Sequence, residues 1–72
     1  MLKYDYSALL GLIREKGYTQ ESLAAESHTS LSQLSAKLNG RYQFKQYDIQ
    51  HISDVLGINA ADIGRYFFSR ES

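Results

Sequence analysis

Apolar positions along this chain recur at three- and four-residue intervals rather than alternating, and each run stops at a residue suited to ending a helix. Tyr6, Leu9, Leu10 and Ile13 form one stripe, with Asp5 placed as its N-cap, Tyr4 and Leu9 able to staple across that cap, and Gly17 as its end. Thr19 is placed to cap a second helix, flanked by the staple pair Tyr18 and Leu23, with Leu23 and Ala24 facing inward. Ser30 and Gln33 make the S-x-x-Q pattern of a capping box, from which Leu34, Lys37 and Leu38 carry a third helix to Asn39-Gly40. Ile49, Ile52 and Leu56 define a fourth helix that stops at Gly57, with Phe44 and Ile49 as its staple. Its N-cap falls on Lys45, whose ammonium donates but cannot accept, so the side chain cannot cap. Asn59 with Asp62, and Ile58 with Ile63, open a fifth helix running through Tyr66 and Phe67. No alternating strand pattern, repeat or linker interrupts the series, which predicts an all-α fold in which five helices share one core over a single domain, residues 1–72.

Composition narrows the class. At 72 residues the chain builds one small core, and the absence of cysteine removes disulfides and thiolate metal sites. No apolar run approaches a membrane span, and Met1 to Asp5 lacks the apolar region of a signal peptide, so a cytoplasmic protein is expected. The formal charge is zero, but its distribution is uneven: between Glu26 and Asp48 there is no acidic residue, while that stretch holds His28, Lys37, Arg41 and Lys45. A basic segment of this kind is the electrostatic footprint of a polyanion-binding surface.

Thr19-Gln20-Glu21-Ser22-Leu23-Ala24, with Leu34 ten positions after Ala24 and then Asn39-Gly40, resembles the helix-turn-helix of the lambda-repressor-like superfamily of Cro and cI type repressors, the motif occupying residues 20–39. A small residue at Ala24 lets two helices approach, and Leu34 seats the second on the first. The resemblance extends through Ile49, Ile52, Leu56-Gly57-Ile58 and Ile63. A narrower likeness is to a family of short phage-encoded proteins described only as a domain of unknown function. It rests on Lys3-Tyr4-Asp5-Tyr6-Ser7, on Leu31-Ser32-Gln33-Leu34-Ser35 with Lys37-Leu38-Asn39-Gly40, and on Asp62-Ile63-Gly64-Arg65-Tyr66-Phe67-Phe68. The superfamily resemblance implies a compact five-helix domain acting as a Cro-like transcriptional repressor, with the third helix in the major groove of a double-stranded DNA operator. It assigns base reading to Ser30, Leu31, Ser32, Gln33, Ser35 and Ala36, and phosphate contact to Gln20, Lys37, Asn39, Arg41 and Lys45.

Two departures bear on that expectation. The turn between the motif helices, where glycine is usual because φ is positive, carries His28, and Ser27 stands where an apolar side chain normally buries. The reading helix has no arginine, so bidentate guanine contacts are absent and discrimination rests on hydroxyls, methyl contacts, water and DNA shape. The neutral charge and serine-rich helix motivate an alternative, a protein-interaction module such as an antirepressor or host-factor inhibitor on the same fold. His28 and His51 are far apart in sequence and read as structural rather than metal-binding. His51, Ser53 and Asp54 are near neighbours on one helix and cannot form a nucleophile relay, so no enzyme, cofactor or small-molecule ligand is expected. Tyr66, Phe67 and Phe68 cannot all face inward from one helix, which points to a homodimer contact through this segment.

Overall fold

The computed structural model describes residues 4–70 and places five α-helices along them: α1 (Ser7–Glu15), α2 (Gln20–Glu26), α3 (Leu31–Leu38), α4 (Gln46–Leu56) and α5 (Ile63–Phe67), with a 3-10 turn (Ala60–Asp62) leading into α5. Met1 and Lys3, which enter the sequence reading, lie outside the described residues. The predicted all-α class and the order of the helices hold. All five helices contribute to one core, in which Leu9 and Ile13 of α1 meet Leu23 and Ala24 of α2, Leu34 and Leu38 of α3, Ile52 and Leu56 of α4, and Phe67 of α5. Helix α2 packs on α3 and α4, and α5 packs on α1 and α4.

The starts of the helices differ in how well their amides are met. Thr19 and Ser22 form a reciprocal capping box, with the Ser22 N–H donating to Thr19 Oγ1 at 3.1 Å and the Thr19 N–H donating to Ser22 Oγ at 3.0 Å. At α3 only half of the predicted box forms: the Gln33 N–H donates to Ser30 Oγ at 3.1 Å. The N-cap of α1 is Tyr6 rather than Asp5, because the Leu10 N–H donates to the Tyr6 carbonyl; Asp5 Oδ1 instead accepts from the Ser7 N–H and hydroxyl. Neither Asn59 nor Asp62 makes a side-chain cap bond, and the segment they bracket tightens into the 3-10 turn, where the Asp62 N–H donates to the Asn59 carbonyl.

The ends are more uniform. Helices α1, α2 and α3 each close with a left-handed residue followed by a backbone bond across six residues, Tyr18 N–H to Ile13, Thr29 N–H to Ala24 and Arg41 N–H to Ala36. Glycine supplies the left-handed residue after α1 and α3, whereas after α2 it is His28, at φ 59°. A side chain in that region costs of order 1 kcal/mol, a strain that the packing of α2 on α3 must sustain. The chain ends meet: Tyr4 pairs antiparallel with Arg70, and the Asp5 N–H donates to the Ser69 carbonyl at 2.6 Å. An edge-to-face series, Tyr6 to Phe44 at 5.2 Å and Phe44 to Phe67 at 5.3 Å between ring centroids, ties the N-terminal segment to α5 through the loop before α4.

Candidate functional site

Helix α3 turns its leucines inward and its polar residues out, as its spacing dictates. Leu34 and Leu38 enter the core, Ser30, Leu31, Ser32 and Gln33 are exposed, and Ser35 and Ala36 are half-buried. The loop from Asn39 to Lys45 then folds back alongside, making a groove of about 800 Å³. Ser32, Gln33, Ser35, Ala36 and the stem of the buried Lys37 line it from the helix, while Asn39, Arg41, Tyr42, Gln43 and Lys45 line it from the loop and Tyr47 closes it from α4. The structure thus gathers most of the residues that the sequence assigned to one interface. Ser30, Leu31 and Gln20 are not among the lining residues; Leu31 is exposed on the helix beside the groove, and Gln20 is half-buried at the start of α2.

Lys37 requires a correction. The sequence reading made it a phosphate contact, but it is only 6% exposed, and its ammonium donates to Asp48 Oδ2 at 2.5 Å. Asp48 is itself 6% exposed and also accepts from the Lys45 N–H at 2.9 Å, which meets an amide that the Lys45 side chain cannot. One carboxylate therefore neutralises the cation of α3, caps α4 and pins both ends of the 39–45 loop. The cause lies in helical geometry: Lys37 precedes Leu38 on the inward edge of α3, so its stem runs through the interior and its head finds the first turn of α4. No carboxylate lines the groove, and its remaining cationic groups are Arg41 and Lys45, both exposed.

Sequence reasoning missed the aromatic component of this face. Tyr42 and Tyr47 are 67% and 54% exposed on the groove, and Leu31 beside it is 44% exposed. Tyr47 stands off the apolar stripe of Ile49, Ile52 and Leu56, which was the available signal. The sequence also kept His28 and His51 apart, yet their rings meet edge to face at 5.9 Å, and His51 in turn meets Tyr47 at 6.0 Å. This contact braces the strained α2–α3 turn against α4. No group of three or more metal-ligating side chains occurs among the described residues, and no helix there is long and apolar enough to cross a membrane. Ser27 is buried, with its hydroxyl lacking a partner. Of the three terminal aromatics, Phe67 is buried, Tyr66 half-buried and Phe68 exposed.

Comparison with known proteins bears on this arrangement. The family model described as "Protein of unknown function (DUF739)" matches residues 2–70. No curated protein matches the chain. Among solved structures, the solution structure of the modulator of repression (MOR) of the temperate bacteriophage TP901-1 from Lactococcus lactis is similar, with a TM-score of 0.78, 42% identity, and coverage of 92% of this chain and 89% of that one.

Proposed function

The chain belongs to the DUF739 family of proteins of unknown function, and on that premise we propose that it is a phage regulator of repression that works by docking its α3 face on a protein partner, the repressor of its phage. The burial of Lys37 against Asp48 carries this reading. With its ammonium held by Asp48, Lys37 leaves α3 with no exposed positive charge, and Arg41 and Lys45 are the exposed cations of the groove lining. DNA affinity scales with the number of phosphates neutralised, so two cations on a chain of zero net charge supply little of it. What the face does offer is exposed tyrosine and arginine, the residue types that anchor protein interfaces, beside short polar side chains that supply adaptable hydrogen bonds. The similar phage protein is named a modulator of repression, which fits a role exerted on a repressor.

The second reading is direct operator binding by α3 as the reading helix of a helix-turn-helix. It is favoured by the absence of any carboxylate from the groove lining and by Arg41 and Lys45 on it. One experiment separates the two. Calorimetry with the purified phage repressor, and anisotropy with labelled operator DNA across a salt series, are run on the same preparation. Protein docking predicts a defined complex with the repressor without DNA, weakened by Tyr42→Ala and Arg41→Ala. Operator binding predicts a DNA complex whose affinity falls with salt at a log–log slope of about −1.8, for two phosphates neutralised. A DNA complex of that kind together with no repressor complex would overturn the proposal.

A further inference from the structure

A second groove, of about 610 Å³, lies between α4 and the 3-10 turn leading into α5. Its apolar lining comes from Phe44, Ile49, Ile58, Ile63 and Phe68, of which the first four are half-buried against the core and Phe68 is 49% exposed. This explains the surplus aromatic at the C-terminal end: Phe67 fills the core, and its neighbour is turned out to the groove. Two polar observations mark the same place. Asp54 is exposed, and it is the one charged residue in the lining. Ser53 is buried in the same lining with its hydroxyl lacking any partner within the protein, which is unusual for a buried polar group.

We propose that this groove receives an amphipathic helix of a partner protein, with apolar side chains seated between Ile49, Ile63 and Phe68 and a lysine or arginine beside them paired with Asp54. A helix rather than a strand is the fitting occupant. The walls are helical segments, and the β-pairing found among the described residues, Tyr4 with Arg70, is already made at the closed chain ends. Charge complementarity selects a cationic helix, because the lining holds a carboxylate and no cation to answer an acidic one. The site goes beyond the α3 reading and stands without it, since α3 contributes nothing to its lining.

The test pans a library of helix-forming peptides on the full chain, measures the winners by fluorescence anisotropy, and maps them by amide chemical-shift changes. The expected winners carry apolar residues at i, i+3 or i+4, and i+7 with lysine or arginine alongside, and they shift resonances of α4 and of 58–63. Phe68→Ala weakens them about tenfold, as for an interface anchor; Asp54→Lys weakens them roughly threefold, as for an exposed ion pair; Arg41→Ala leaves them unchanged. Phe68 and Asp54 are both exposed, and thermal melts verify that the variants fold. The proposal is overturned if no peptide is enriched, if the winners are acidic or shift α3 instead, or if light scattering shows that a second copy occupies the groove in a dimer that Phe68→Ala dissociates.

Discussion

Asp48→Ala is the most informative single perturbation of this fold. The carboxylate has two partners, the Lys37 ammonium and the Lys45 N–H, and both it and Lys37 are nearly sealed from water. Removing it strands a buried ammonium, and breaking a buried pair from one side costs about 3–5 kcal/mol. That approaches the roughly 3–5 kcal/mol that a core of this size supplies, so the variant should be largely unfolded or should melt at least about 15 °C lower. Lys37→Met should cost less, because the methionine keeps the apolar stem and Asp48 retains the Lys45 N–H near the positive end of α4. The double variant should recover most of the loss, within ~2 kcal/mol of wild type, since neither ion remains to be compensated. Urea unfolding followed by circular dichroism on the four proteins closes the cycle. A loss below ~1 kcal/mol for Asp48→Ala, or additive single effects, would mean that the ammonium is solvated. Lys37 would then return to the α3 face as a free cation, and the case against operator binding would lose its main support.

Three further outcomes follow from the same geometry. His28→Gly should stabilise by up to about 1 kcal/mol, because glycine relieves a left-handed strain of roughly 1–2 kcal/mol against an unfolded-state entropy cost of about 0.4–1 kcal/mol; a lower melting temperature would show that this cost and the ring contact with His51 together outweigh the strain. Phe67→Ala should cost about 3–5 kcal/mol while Phe68→Ala costs ~1 kcal/mol or less, a contrast read directly from thermal melts and lost if the second side chain were also part of the core. Burial raises the Tyr6 phenol above its ordinary value of 10.0, with Tyr4 adding to the shift. The neutral phenol is thus favoured by folding, so its contribution is fully present below pH 10.0 and lost as pH rises through the higher folded value; Tyr6→Phe should flatten that alkaline loss, measured as stability against pH.

Helical periodicity, glycine placement and the Thr19 cap were enough to determine the all-α class, the five helices and the core leucines and isoleucines, because each depends on residues within a few positions of one another. The positive φ at His28 and the burial of Ser27 were legible for the same reason, since both belong to the short turn that closes α2. Charge was not legible. Whether Lys37 faces solvent or the interior depends on α4 arriving with Asp48 at its first turn, eleven residues later and across a loop, and no local pattern encodes that meeting. The groove over α3, the contact of His28 with His51, and the choice of Phe67 rather than Phe68 for the core are likewise products of how the helices cross. Sequence specifies which faces must be buried; packing alone decides which polar groups are taken in with them, since a buried ion survives only where another element brings its partner.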